Sequence, residues 1–577
     1  MMKKYLALLL VVVMILGCFV GCNQTPPEDT KGTTPPATKP TEVVVPTQPT
    51  ETNPTLGQLP LVTEKTTITI GIPAKAITED YETNDYTLWL QEQTGIELDF
   101  VLFSDDSTEM VTQLNLMVSG KEKLPDILWG FSGVSAALRN ELGADEYLVD
   151  LKDYFSEYGY WFWDAYNQIP DYAQEYLFQY GVDPASGALY AFPCYQQSGG
   201  DQLNTKSYIN AKWLEAVGED VPTTVEELYT VLKKFATEDP NGNGKADEMA
   251  LLGSDTRYRC DIVEFIINAF VYCCDANLYN ATDGKVWVPY TTDEYRQAMI
   301  FLNKLYAEGL LTPLFYSIND NAELKSLVTP ADGVALGGVV GAHDTVFWEK
   351  DNPIIYEYVA LPPLKAATSL GGYAPMTGDS YEYNTFITTD AADPVLCFKL
   401  LDFMCGTESF FHMRYGTEGV HWKYYEGEGG TSSLGYPAVI EALDSQAYST
   451  QNNVNWHQIR GVVTCYAANA TLSVLDDSWT GTRSKMAQSL YQAYINSPRP
   501  DEVITKLIYN AEENEVASEL KSSIKSYVDE ARAMFVSGVM DPNDDAQWNA
   551  YLANLEAQGL GRLLEVVQSA YTRMTAE

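Results

Sequence analysis

From Thr66 the chain alternates polar and apolar positions in TTITIGI, the period-two signature of a strand with one buried face. TNDYTLWLQEQTG follows with helical spacing and reaches Gly95, a residue suited to stop a helix. IELDFVLF reads as a second strand, STEMVTQLNLMVSG as a second helix ending at Gly120, and PDILWG as a third strand. Strand, helix, strand, helix and strand in immediate succession predict a parallel, doubly wound sheet, an α/β architecture. Ligands of such sheets bind beyond the carboxyl ends of the strands. That rule singles out Trp129, Gly130 and Phe131, with the polar run Ser104, Asp105 and Asp106.

The next stretch, YFSEYGYWFWDAYNQIPDYAQEYLFQYG, carries aromatics at helical spacing, which predicts packing between helices. After GALYAFPCYQQ a short helix, a turn and a capped helix are predicted. Thr224 with Glu227 three residues on forms a capping box for the latter. A further helix, TDEYRQAMIFLNKLYAEGLL, ends at Gly309. No internal repeat of fixed period is visible.

Just beyond the capped helix stands DPNGNGKADE, Asp239 to Glu248. Oxygen donors at Asp239, Asn241 and Asn243, followed by Gly244, match the opening of a calcium loop. The Lys245 carbonyl, Asp247 and Glu248 would close the shell. The twelfth position, where an EF-hand places its bidentate Glu, is Ala250, so the match is to a shorter loop. A self-satisfied Asn/Gly turn fits the same residues.

The amino-terminal end, MMKKYLALLLVVVMILGCFVGC, has a basic start, an apolar run and two Gly-Cys pairs. It reads as a secretory signal, too short and wrongly flanked for a stable span. Phe19-Val20-Gly21-Cys22 resembles a bacterial lipobox, which implies cleavage before Cys22 and acylation of that cysteine. The rival site ends at Cys18, and an ordinary signal without lipid is the plainer alternative. Asn23 to Thr55 is rich in Thr and Pro, cannot bury a core and is expected to form an extended, disordered stalk. No second long apolar segment follows, so a tethered protein on the outer face of the cell membrane is expected rather than a spanning one.

Charge narrows the choice further. Formal net charge is −43, which argues against nucleic acid and against adhesion to anionic lipid. Beyond the lipobox lie seven cysteines, mostly in apolar runs; an odd number so placed reads as buried thiols rather than a disulfide framework.

Taken in order, WLQEQTGIELDF, NLMVSGKEKLPDIL, GALYAFP, NAKWLEAVGEDVPTTVEELYTVLKKFATEDPNGNGKADE, FLNKLYAEGLLTP, YGTEGVHW and WNAYLANLEAQGLGRLLEVVQSAYTRM resemble the extracellular solute-binding proteins of carbohydrate-type ABC importers. The resemblance runs from about Thr66 to Met574 and is strongest to the larger oligosaccharide- and alginate-binding members. It implies a two-lobed fold of the type II periplasmic-binding-protein kind, each lobe a mainly parallel sheet flanked by helices, with several crossing segments as hinge. Residues 1–21 would be the signal and 22–60 the lipidated stalk. Residues 61–195 with 373–440 would form one lobe, and 196–372 with 441–577 the other. In the alginate-binding relatives the Asp-x-Asn-x-Asn-Gly stretch holds a structural calcium. Carried over, its ligands are Asp239, Asn241, Asn243, the Lys245 carbonyl, Asp247 and Glu248. The implied function is capture of an oligosaccharide by a monomer, for delivery to ABC permease subunits, without catalysis.

Sugars present apolar C–H faces to aromatic rings and hydroxyls to polar groups. Position nominates Trp129 and Phe131 after a strand end, Tyr195 and Gln196 at the first expected crossing, and Trp348 after a Gly-rich run. Tyr415, Glu418, His421 and Trp422 converge in YGTEGVHW. Core packing is the competing role for each. The rival class is a secreted carbohydrate-active enzyme, which needs two opposed carboxylates; a surface sensor on the same fold is a third. No Gly-x-Ser-x-Gly elbow, His-Glu-x-x-His helix or phosphate loop is present, and the four histidines stand singly.

Overall fold

The alternating run is a strand, β1 (Thr66–Pro73), and the next two predicted strands are β2 (Ile96–Phe103) and β3 (Ile127–Leu128). Then come β4 (Phe192–Gln196), β5 (Ser207–Asn210), β6 (Met249–Leu252) and a short hairpin of β7 (Asn280–Thr282) and β8 (Lys285–Trp287). Strands β9 (Gly337–Gly341), β10 (Tyr358–Ala360) and β11 (Ser380–Ile387) precede a second hairpin, β12 (Trp422–Tyr424) and β13 (Ile440–Ala442). The last strand is β14 (Glu502–Val503). The computed structural model describes residues 46–48, 56–196, 205–254, 261–273, 279–318, 321–328, 330, 333–342, 344–347, 352–367, 371–375, 380–444, 451–456, 461–463, 470–500, 502–504 and 507–575.

Two larger sheets organise these strands. The first has the order β2-β1-β3-β11-β4 and the second β10-β5-β9-β6. In the first, β1 runs parallel to β2 from Thr66 opposite Ile96, and parallel to β3 at Ile70 opposite Ile127. Strand β11 pairs antiparallel with both β3 and β4, so it alone runs against the others. In the second sheet β6 and β9 are parallel, and β5 is antiparallel to both β9 and β10. Again one strand is reversed.

Both reversed strands are the first to enter their sheet after the chain has crossed over. A strand that starts at the crossing must run away from it. Strands built by right-handed strand–helix–strand units run back toward it. The carboxyl ends of the remaining strands therefore face the crossings in both sheets. At β9 this is visible in the bond from Ala342 N–H to the Lys206 carbonyl (2.9 Å), and at β10 in the bond from Leu361 N–H to the Ser207 carbonyl (2.9 Å).

Local signals in the sequence set the helix ends. Asn84 caps the helix Asp85–Thr94 by accepting from Tyr86 N–H, and Gly95 ends it with φ 75°. Thr224 and Glu227 form the predicted capping box on Val225–Phe235. Helix Ser107–Gly120 ends at Gly120 as expected, with Lys121 at φ 53° as its cap.

One hydrophobic core joins the second sheet to the carboxyl-terminal helices, from Tyr208 through Phe347 to Val567. Two adjoining cores lie on the first sheet, around Ile70, Phe155 and Phe398, and around Phe103, Leu128 and Phe386. The aromatic-rich stretch supplies Phe155, Phe162, Trp163 and Phe178 to the first of these, as its spacing predicts. Each such ring removed from water contributes about 1.5–3 kcal/mol. Cys194, Cys397 and Cys405 are buried thiols.

Two boundaries differ from those expected. Trp456, Val462 and Val463 belong to the first-sheet core rather than to the second lobe. The reason is Trp456, whose ring packs against Tyr81, Tyr86 and Phe100 at 5.9, 5.2 and 5.5 Å and whose Nε1–H donates to Thr87 Oγ1 (3.1 Å). The stalk also meets the folded protein before residue 60. Pro46 is buried, Thr47 N–H donates to Ser156 Oγ (3.3 Å), and Asn167 Nδ2–H donates to Gln48 Oε1 (3.3 Å).

Candidate functional site

Strands β4 and β11 project past the carboxyl end of β3. Phe386 lies opposite Leu128, the last residue of β3, while β11 begins six residues earlier, at Ser380 opposite Gln196. The projecting pair carries Tyr195 opposite Tyr381, with ring centroids 5.4 Å apart. Tyr180, just past helix Asp171–Gln179, meets Tyr381 edge-on at 5.0 Å and stacks on Tyr176 at 5.4 Å. Glu382 accepts from Ser380 Oγ (3.1 Å) and Asn384 Nδ2 (3.0 Å). This is a strip of tyrosines, Tyr195 buried and Tyr176, Tyr180 and Tyr381 half-buried, beside a carboxylate at the edge where the strand ends lie.

Of the residues nominated by position, Trp129, Tyr195 and Gln196 come to this edge; Gln196 is the last residue of β4. Tyr180, Tyr381, Glu382 and Thr385 were missed, although SYEYNTF, alternating and bounded by a loop, signals the strand that carries most of them.

Trp129 is not an open stacking platform. Its ring has no solvent exposure and packs edge-on to Trp456 at 6.1 Å, because the chain at Gly461 closes over it. A Cβ placed on Gly461 would lie 2.7 Å from Trp129 Cδ2 and 2.5 Å from Thr385 Oγ1. Phe131 is likewise buried, edge-on to Phe103 at 4.8 Å.

The YGTEGVHW group is also mostly internal. Trp422 is fully buried against Phe411 and Tyr424, and its Nε1–H donates to the Gly416 carbonyl (2.6 Å). His421 Nδ1 accepts from Thr417 N–H (3.0 Å), and Tyr415 OH pairs with Thr471 Oγ1 (3.0 Å). Glu418 points to solvent. These residues tie a loop to itself. Trp348 lies outside the described residues, as does Cys22.

The loop Asp239–Glu248 joins helix Val225–Phe235 to β6. Asp239 is held at φ 49°, with Gly242 and Gly244 at φ 70° and 74°. Asp239 Oδ1 and Oδ2 accept from Asn243 N–H (3.1 Å) and Gly244 N–H (3.0 Å), and Asn243 Oδ1 accepts from Lys245 N–H (2.8 Å). The amide of Asn243 donates to Asp247 Oδ1 (3.0 Å), which holds that carboxyl below its ordinary value. Glu248 behaves oppositely: burial, with the added like charge of Asp239 and Asp247, pushes its carboxyl up. Its Oε1 is buried without a hydrogen-bond partner. The loop thus holds three carboxylates and two carboxamides, of which Glu248 keeps one buried oxygen unsatisfied. Such a donor set, all hard oxygen, suits calcium. Counting only His, Cys, Asp and Glu, no metal-holding group of three is assembled among the described residues, so the asparagine carbonyls would be needed to complete a shell.

No protein-family model matches the chain. Among curated proteins it is 21% identical over 515 residues to the fructooligosaccharide ABC transporter substrate-binding protein FusA of Streptococcus pneumoniae, covering 84% of this chain and 86% of FusA. A shorter stretch of 128 residues, 21% of this chain and 24% of its relative, is 34% identical to the lipoprotein LipO of Bacillus subtilis. Among solved structures, FusA in complex with kestose superposes with a TM-score of 0.70 at 19% identity, over 88% of this chain and 99% of FusA. A FusA EF-hand mutant in complex with fructo-nystose gives 0.69 at 20% identity over 88% and 99%. A solute-binding protein of Bifidobacterium longum infantis, described as binding HMO, gives 0.70 at 19% identity over 89% and 100%. In fold, and in sequence over most of its length, the chain is similar to the carbohydrate-binding substrate-binding proteins of ABC importers.

Proposed function

We propose that this protein is the substrate-binding component of an ABC importer, holding an oligosaccharide between its two lobes for delivery to a membrane permease. The observation that carries the reading is the similarity to FusA over 84% of this chain, combined with a shared fold. The edge that carries Tyr180, Tyr381, Glu382 and Asn384 at the crossings supplies the aromatic and polar groups that sugar rings require. Lobes of this kind close by hinge motion, and ligand contacts to both faces stabilise the closed form. Binding rather than turnover is the function. The strongly acidic surface favours a neutral sugar over a polyanionic one.

The finer parts of the reading follow. Cys22 carries the lipid anchor and places the protein on the outer face of the membrane, a placement that the lipoprotein LipO supports by similarity. Calcium occupies the Asp239–Glu248 loop, held by Asp239, Asn241, Asn243, the Lys245 carbonyl, Asp247 and Glu248. The orphaned Glu248 oxygen and a relative studied as an EF-hand mutant support that assignment. The ion fixes the loop between helix Val225–Phe235 and β6 and takes no part in sugar binding.

A glycan array probed with the full-length protein tests the main reading. Retention of one family of neutral oligosaccharides is expected. Failure to retain any glycan, with the protein folded, would contradict it.

A further inference from the structure

Native interiors leave few polar groups without partners, because each one costs about 1–3 kcal/mol. On the face of the first sheet that carries Trp129, two such atoms occur together. Trp129 Nε1 and Thr385 Oγ1 are both buried and both without a hydrogen bond. Register explains their proximity: Leu128 faces Phe386, so Trp129 and Thr385 are the next residues of β3's extension and of β11. Ile127 and Ile387, two positions back on each strand, lie on the same face and in the same core as Trp129. Thr385 Oγ1 and the Trp129 ring carbons Cδ2 and Cε2, the latter bonded to Nε1, crowd the spot beside Gly461 where a Cβ would not fit.

A Val at position 385 would fill the same volume without the cost of its unpaired hydroxyl. The chain has instead kept a donor and a hydroxyl at the carboxyl end of β3, where open α/β sheets bind their ligands. The two atoms are complementary to one hydroxyl group. Its oxygen can accept from the Trp129 indole N–H while its hydrogen is donated to Thr385 Oγ1. We propose that Trp129 Nε1 and Thr385 Oγ1 form a hydroxyl-reading subsite for the carbohydrate ligand, reached when the backbone at Gly461 shifts aside. The pair confers specificity by polarity: an analogue lacking that hydroxyl leaves both atoms unpaired and is rejected. Gly461 is then required twice, for close approach in the free protein and for release of the pair. This inference rests on the sugar-binding reading above.

The test uses Thr385→Val and Thr385→Ser in the full-length protein, with the tightest-binding member of a neutral-oligosaccharide panel that includes kestose. The free Thr385→Val protein should melt at or above the wild-type temperature, since an unpaired hydroxyl has been removed without loss of volume. Its affinity should fall at least about tenfold, the equivalent of one good hydrogen bond. Thr385→Ser keeps the oxygen and should restore affinity to within about threefold of wild type. Unchanged affinity in Thr385→Val overturns the subsite whatever the melting curve does. An affinity loss matched by a lower melting temperature and shared by Thr385→Ser also overturns it, because the methyl packing would then be responsible. If wild type itself binds nothing on the panel, the importer reading fails, a result distinct from either outcome for the variants.

Discussion

Trp129 combines a fully enclosed ring with an unpaired indole N–H. The enclosed ring decides its effect on stability. Trp129→Ala should cost about 3–5 kcal/mol of folding stability, as for a large aromatic removed from a core, and denaturant titration measures it directly. A loss below about 1 kcal/mol would show the ring to be exposed in solution. His412 makes a second claim at this scale. It lies between the rings of Trp89 (4.4 Å) and Trp422 (5.6 Å), and burial lowers its pKa to about 4. The unfolded chain therefore takes up a proton near the ordinary histidine value of 6.5, before the folded protein does. Stability should fall as pH drops from about 6.5 toward 4 and be unaffected by this group above that range. The slope over that interval should be shallower in His412→Phe, measured by melting at each pH; an identical slope would mean the imidazole is solvated. Side-chain roles of this sort were hardly legible in the sequence. Period two assigns Trp129 to a face of its strand, but not whether a distant segment such as Gly461 covers that face.

Elements were far more legible, because their signals are local. The alternation in β1, the stop at Gly95 and the Thr224–Glu227 box depend on neighbours within a few residues. The reversed strands β5 and β11 were not legible, since direction is set by where the chain crosses between sheets. The loop Asp239–Glu248 lies between these cases. Its donors are plain in sequence, while the unsatisfied Glu248 oxygen emerges only once β6 is packed. Calcium bound to the folded loop should stabilise the protein by about 2.7 kcal/mol when the free ion is a hundredfold above its dissociation constant. A calcium chelator should thus lower the wild-type melting temperature and have no effect on Asp239→Ala/Asp247→Ala. A wild-type melting curve insensitive to chelator would contradict the site. Sugar affinity should be the same with and without the double substitution.

At the scale of the whole molecule, the two sheets share one construction: parallel strand ends turned toward the crossings and one reversed strand entering from them. That arrangement puts candidate ligand groups of the first lobe where the chain passes to the second. Resemblance in the order of seven sequence segments anticipated the architecture. It did not anticipate that Trp456 and Val463 return to the first core, because a pair of aromatics far apart in sequence fixes them there. The tether belongs to this scale as well. Cys22→Ser should release the protein into the medium or leave it unprocessed, as fractionation would reveal; continued membrane attachment with lipid labelling would assign the anchor to another residue, such as Cys18.

The central claim is that this protein binds an oligosaccharide and returns it unchanged. Calorimetric titration of the full-length protein with the best-retained glycan, followed by chromatography of the recovered sugar, tests both halves in one sample. Saturable heat at one ligand per protein, with the oligosaccharide recovered intact after prolonged incubation, is the predicted result. Steady accumulation of shorter sugars or unsaturated products would contradict the account and assign the cleft to an enzyme.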